Sequence, residues 1–263
     1  MTFPRGENEM FLDRVTITGA DDSVKPIELI RLSEEFPFVE WGILVSASKA
    51  IDFMIGMPRF PSHNWIISTF DNLQFLRTNM KLSLHVCGKW TRDILLGKNN
   101  IPKWMLDGFQ RVQLNFHAER NSCDVAALFG ALSNIKNRQF IFQMDGEFGN
   151  RHFESLHKIN RESDFIDIVP LFDISGGAGT LPKEWPAPKY RFSQQMLYHG
   201  YAGGLGPENL EEQLPLIAKG AGDCRIWIDM ETRVRSSDDK IFDLEKCKQV
   251  LQICKKYVEE EKA

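Results

Sequence analysis

The chain has 263 residues, 43% of them hydrophobic and 26% charged, with a formal net charge of −4. That is ordinary globular composition with enough apolar material for one large core, so a single domain is expected. There is no basic field for nucleic acid or an acidic membrane surface, no apolar run that spans a bilayer and no signal-peptide core in the first ten residues, so a cytoplasmic protein without nucleic-acid or membrane partners is expected.

After a polar leader over 1–12, residues 13–18 have strand propensity and run into a loop-like 19–23. Residues 26–36 carry apolar side chains at helical intervals, and 38–45 is strand-like again. A loop through 56–61 leads to a helix over 64–76, a strand over 81–87 and a helix over 91–96. The alternation continues with a strand at 109–115 and a helix at 124–135, then a strand at 139–144 and a helix at 153–159. A strand at 166–172 precedes a long glycine- and proline-rich loop; further strands are expected at 195–201 and 225–229, and the last helix runs from 243 toward 257. Eight strands alternating with helices in about 250 residues predict a (β/α)8 TIM barrel over 13–258, with a doubly wound open sheet as the competing architecture. Residues 259–263 read as a charged tail. The five cysteines, Cys87, Cys123, Cys224, Cys247 and Cys254, are scattered and form no C-x-x-C pair, which speaks against a disulfide framework or a zinc knuckle.

The stretch Tyr201-Ala-Gly-Gly-Leu-Gly-Pro-Glu-Asn209 follows an apolar run, bends on adjacent glycines and opens a helix. Gly203 and Gly204 can take backbone angles closed to other residues, and Pro207 and Glu208 suit the first turn of a helix. Free N–H groups at such a start bind anions, and the same residues equally suit a plain strand-to-helix turn.

Barrel enzymes place their sites at the carboxyl ends of the strands. The polar residues expected there include Thr16 and Thr18, Glu40, Ser83, His85 and Cys87, Gln113 and Asn115, Gln143 and Asp145, Asp173, His199, and Asp229 and Glu231. Strand alternation turns Thr16/Thr18, Ser83/His85/Cys87, Gln113/Asn115 and Gln143/Asp145 inward as sets. So many polar groups on one rim are costly in a sealed core, and a solvated ligand pocket accounts for them more easily. Asp173 ends a very apolar strand before a glycine loop, a position that raises a carboxyl pKa and suits a general acid, although an Asp that caps the loop would look the same. His85, Asp145 and Glu231 are residue types able to meet at a divalent cation, and their spacing says nothing about whether they converge; metal binding is the minority reading and no metal or cofactor is expected.

In order along the chain, these stretches resemble phosphoribosylanthranilate isomerase, a (β/α)8 barrel of tryptophan biosynthesis that rearranges an anthranilate-substituted phosphoribose. Val15-Thr-Ile-Thr-Gly19 is similar to the family's K-I-C-G, and Gly42-Ile-Leu-Val leading to Pro58-Arg-Phe60 to its G-F-x-F…S-P-R-Y. Val112-Gln-Leu-Asn115 is similar to V-Q-L-H, Leu171-Phe-Asp-Ile…Gly176-Gly-Ala-Gly179 to L-L-D…G-G-T-G, Ala202 to Asn209 to A-G-G-L-T-P-E-N, and Asp229-Met-Glu-Thr-Arg-Val-Arg235 to D-V-S-S-G-V-E. The resemblance implies Asp173 as general acid at the ribose ring oxygen, Arg59 on the anthranilate side of the substrate, and Gly203 and Gly204 as half of a phosphate cup.

The departures from the family are as informative. The general-base cysteine falls at Thr18, whose hydroxyl is too weakly acidic to serve as a base at neutral pH. In the second half of the cup Glu231 replaces a serine, Thr232 stays hydroxylated and Arg233 stands where a glycine is usual, while Asn115 replaces a histidine. A carboxylate near a phosphate needs a partner, which Arg233 can supply. The expected function is therefore an isomerase-like barrel that binds a phosphorylated sugar or related small anion, with an altered isomerase or lyase reaction. Asp145, Cys87, His85 and Glu231 stand as candidate bases, and Gln113 and Gln143 as substrate contacts. The alternatives are a barrel that only binds a ligand or partner, and a weak true phosphoribosylanthranilate isomerase.

Overall fold

The computed structural model describes residues 11–49, 56–115, 122–163, 166–173, 176, 178–192 and 195–258. Most of the leader and the whole charged tail lie outside them. Eight parallel strands are β1 (Phe11–Thr18), β2 (Val39–Ser46), β3 (Lys81–Cys87), β4 (Arg111–Leu114), β5 (Gln139–Met144), β6 (Asp167–Phe172), β9 (His199–Ala202) and β10 (Arg225–Met230). They close in the order β1-β10-β9-β6-β5-β4-β3-β2, which is a TIM barrel and excludes the open sheet. Helices α1 (Pro26–Glu35), α2 (His63–Leu76), α3 (Lys89–Leu95), α4 (Lys103–Asp107), α5 (Val125–Ser133), α6 (Gly146–Ser163), α7 (Leu210–Ala221) and α8 (Leu244–Lys255) follow the strands. Among the described residues no helix is long and apolar enough to cross a membrane.

Helix starts follow local chemistry. Ser62 accepts from Trp65 N at the head of α2, Asp124 from Ala127 N at α5, and Asp243 from Glu245 N and Lys246 N at α8, each satisfying N–H groups that a first turn leaves unpaired. Two elements differ from the sequence expectation. The strand expected over 195–201 is split: β8 (Gln195–Met196) pairs back antiparallel on β7 (Arg191–Phe192), Leu197 N donates to Tyr190 O, and only His199–Ala202 joins the barrel. Helix α6 begins at Gly146 rather than near 153, because tertiary packing overrides the low helix propensity of Gly146 and Gly149.

Alternation along the strands sorts side chains into two compartments. Residues such as Val15, Ile17, Trp41 and Ile228 face outward into the main core beneath the helices. Fully burying each such side chain contributes roughly 1.5–3 kcal/mol. Inside the barrel, one side is apolar, built from Ile141, Val169, Leu171 and Trp227. The opposite side is polar, with Thr16, Glu40 and Arg111. A Cβ at Gly200 would sit 2.3 Å from the Trp227 ring, so only glycine lets the indole cross the barrel there.

Candidate active site

The carboxyl ends of the strands surround a cavity of about 670 Å³, with His85, Gln113, Leu171 and Asp229 among its lining residues, and with Asp173 and the loops after β9 and β10 at its mouth. Asp229 is its chemical focus. Strand parity turns this β10 side chain inward, where Thr18 Oγ1 donates to Oδ1 at 2.8 Å and Gln113 Nε2 to Oδ2 at 3.4 Å. Burial raises its pKa to about 8; the Thr18 and Gln113 hydrogen bonds work against the rise, and the charges of Glu231 and Glu40 add to it. Thr18, where the sequence resemblance points to a base, thus anchors a carboxyl group.

Asp173, at the end of β6, is buried, and its Oδ2 accepts from Gln143 Nε2 at 2.7 Å. Asp173, Gln143, Gln113 and Asn115 all line the same cavity as Asp229. Asp145 is not among the residues that line it. It follows the last residue of β5 and turns under α6, where its Oδ1 lies 2.9 Å from the place a Cβ would take on Gly149. The remaining base candidates on β3 are silenced by burial. His85 is pushed down to about 3, and Cys87 is pushed up to about 12 while its Sγ accepts from Asn115 Nδ2 at 3.5 Å. A neutral imidazole of such low basicity and a protonated thiol are poorly matched to proton abstraction near neutral pH. Among the described residues no three His, Cys, Asp or Glu side chains gather as metal ligands, so the grouping of His85, Asp145 and Glu231 does not form.

Arg59 reaches the rim, but carboxylates hold it. Its Nη1 donates to Glu231 at 2.5 Å and its Nε to Asp239 at 2.7 Å, while its backbone N–H donates to Asp21. Arg233 pairs with Glu208 in the same way. At the glycine turn, Gly203 and Gly204 have φ of 122° and 66°. A Cβ on Gly204 would lie 2.7 Å from Leu181 N and 2.9 Å from Gly179 O, so the loop after β6 stacks directly on this glycine. Helix α7 starts at Leu210, later than Pro207 suggested. Its Asn209 cap ties the turn by accepting from Gly206 N and donating to Gly204 O. Thr232, Gly203 and Arg233 still face the cavity.

Sequence reasoning placed Asp229 on the rim but gave it no chemical role. The alternation on β10 carried the signal: Ile226 and Ile228 face the helices, so Trp227 and Asp229, in the opposite phase, turn into the barrel.

The fold is that of a TIM barrel, with a polar cavity at the carboxyl end of its sheet. No protein-family profile matches the chain, and no curated protein matches it by sequence. Among solved structures it is similar to phosphoribosyl anthranilate isomerase from Thermotoga maritima, with a TM-score of 0.54 and 13% identity over 94% of this chain and 100% of that one. The corresponding enzyme from Thermococcus kodakaraensis gives a TM-score of 0.45 and 18% identity over 92% and 98% of the two chains. At these identities the likeness is one of fold.

Proposed function

We propose that the chain is an acid–base enzyme that isomerises a phosphorylated sugar or a related small anionic sugar derivative. The observation that carries this reading is that Asp229, with a pKa near 8, shares one cavity with Asp173. At neutral pH Asp229 mostly holds its proton and serves as general acid toward a substrate oxygen, and Asp173, already a hydrogen-bond acceptor from Gln143, takes a proton from the adjacent carbon. Returning that proton to the neighbouring carbon, with Asp229 recovering its own from the second oxygen, completes an aldose–ketose exchange. These roles differ from those the family resemblance implies, where Asp173 is the acid. Glu231 and Asp239 hold Arg59 and Glu208 holds Arg233, whereas Lys49 and Arg92 line the cavity without a carboxylate partner among the described residues and are the charges that favour an anionic substrate. The phosphate end is assigned to Gly203, Thr232 and Arg233.

The test is a panel of aldose and ketose phosphates assayed for interconversion with the native protein, Asp229→Asn, Asp173→Asn and Arg233→Ala. The expected result is turnover abolished by either aspartate change while binding persists, with Arg233→Ala raising KM. The native rate should fall as pH rises through about 8, where Asp229 loses its proton. Binding without turnover in the native protein would make this a non-catalytic binder, and absence of both would remove the phosphosugar reading altogether.

A further inference from the structure

A second cavity, of about 510 Å³, opens at the opposite end of the barrel, among the first residues of β1, β4, β5 and β6 and the loop before β5. Its charged lining residues are Arg14, Arg111, Lys136, Arg138 and Asp167, while Glu40 behind them accepts from both Arg14 and Arg111, so the cationic surplus at the mouth comes from Lys136 and Arg138. Arg111 is 2% exposed and held rigidly, with its guanidinium 4.3 Å from the centroid of the Trp227 ring and Nη1 donating to Glu40 at 2.8 Å. Its Nε and Nη2, and the Nε of Arg14, are buried without a hydrogen-bond acceptor among the described residues. Arg14 Nε lies 3.8 Å from Asp13 Oδ2, an ion pair without a hydrogen bond, so the two Arg111 donors are the more costly to leave without an acceptor. Arg138 spends its donors on the backbone carbonyls of Leu106, Asn137 and Asp107, so its charge meets no carboxylate. Lys136 is exposed and has no partner among the described residues.

We propose that this amino-terminal mouth is a binding site for the phosphate group of a small molecule, separate from the cavity that holds Asp173 and Asp229. The Nε–Nη2 fork of Arg111 matches two oxygens of a tetrahedral dianion, and Lys136 supplies a mobile charge at the entrance. Burial raises the Asp167 pKa, against the hydrogen bond from Gln139 and the charge of Arg111, and this carboxyl group is the lining residue that opposes an incoming anion. A ligand here touches the starts of four barrel strands whose other ends frame the acid–base cavity, which makes the site suited to an effector rather than a second substrate.

The experiment is calorimetric titration of the whole chain with inorganic phosphate at low ionic strength, with succinate as a dicarboxylate control. It is repeated on Lys136→Glu, Asp167→Asn and Arg233→Ala, and the Arg111 Nε–H resonance is followed in the native protein. The expected result is a phosphate site that survives Arg233→Ala, weakens roughly tenfold in Lys136→Glu, tightens in Asp167→Asn and shifts the Arg111 Nε–H signal. Succinate binding as tightly as phosphate would replace the phosphate assignment with a carboxylate one. A phosphate response that ignores Lys136→Glu, one that vanishes with Arg233→Ala, or no response at all would overturn the proposal. Arg233→Ala reports on the carboxyl-end cavity and Lys136→Glu on this one, so failure of either reading is seen separately.

Discussion

Glu40 and Asp229 sit within the same barrel, both almost sealed from solvent, and they ionise in opposite directions. For Glu40 burial pushes the pKa up, but the attraction of Arg111 and Arg14 and the hydrogen bond from Thr16 outweigh it, leaving the carboxylate below its usual range. Asp229 meets only the neutral donors Thr18 and Gln113, with Glu231 nearby, and burial wins. Burial alone therefore does not decide whether an interior acid carries charge; the charges of its neighbours do. The amino-terminal half of the interior is locked as an ion cluster, whereas the carboxyl half keeps a proton available at neutral pH.

The sharpest way to break that contrast is Arg111→Met. It leaves Glu40 buried with one guanidinium instead of two, and urea denaturation should show a loss of about 3–5 kcal/mol. Adding Glu40→Leu should not restore it, since Arg14 then loses the carboxylate it donates to. A single-variant loss below about 1 kcal/mol would mean that the cluster does not act as a unit.

Asp229→Asn sharpens the other side. The native chain keeps the Asp229 proton up to about pH 8, while the unfolded chain releases it near the ordinary value of 3.8. Across that window the folded state binds more protons than the unfolded state, so stability falls as pH rises. The variant lacks this penalty and should gain on the native protein from pH 4 to pH 8, by an amount on the order of several kcal/mol at about 1.4 kcal/mol per pH unit. Glu40 contributes with the opposite sign: its depressed pKa stabilises the fold above the ordinary carboxylate range, and that contribution is lost as pH falls through the folded value. Parallel native and variant curves between pH 4 and 8 would show Asp229 ionised throughout.

Much of this architecture was legible in the sequence because strand and helix periods alternate eight times, and period-two spacing correctly turned Thr16, Thr18, His85 and Gln113 inward. Local pattern failed where pairing depends on distant chain. The apolar run through 195–201 reads as one strand, yet its first half pairs with β7 because Tyr190 offers a carbonyl to Leu197. The site was legible as a set of positions and illegible as chemistry. Nothing in the spacing says that Thr18 meets Asp229, 211 positions away, or that burial disables His85 and Cys87 as bases. The sequence offered Arg233 as the partner of Glu231, whereas Glu231 and Asp239, both between β10 and α8, hold Arg59, and Glu208 from the loop after β9 holds Arg233.

A smaller effect is expected at Gly42, beside the Thr18 anchor. A Cβ there would fall 2.1 Å from Thr18 Oγ1 and 2.8 Å from the His85 ring, so Gly42→Ala must displace one of them. The expected loss is about 1–3 kcal/mol, accompanied by a further rise in the Asp229 pKa as its best donor withdraws. An unchanged Asp229 titration in this variant would detach Thr18 from the tuning of the site.

The smallest effect belongs to an ion pair with the same partners in kind as Arg111 and Glu40 but on the opposite side of the solvent boundary. Lys103 and Asp107 face each other one turn apart on α4 at 2.5 Å, with their side chains 85% and 56% exposed. Water screens the attraction and both side chains give up rotamer freedom to make it, so Lys103→Ala should change stability by only about 0.3–0.5 kcal/mol, and by less in high salt. The interior pair gains its strength from the same exclusion of water that makes either partner costly alone. A salt-insensitive loss of more than about 1 kcal/mol at Lys103 would show α4 packed more tightly against the barrel than its exposure indicates, and the contrast between interior and surface charge would have to be redrawn there.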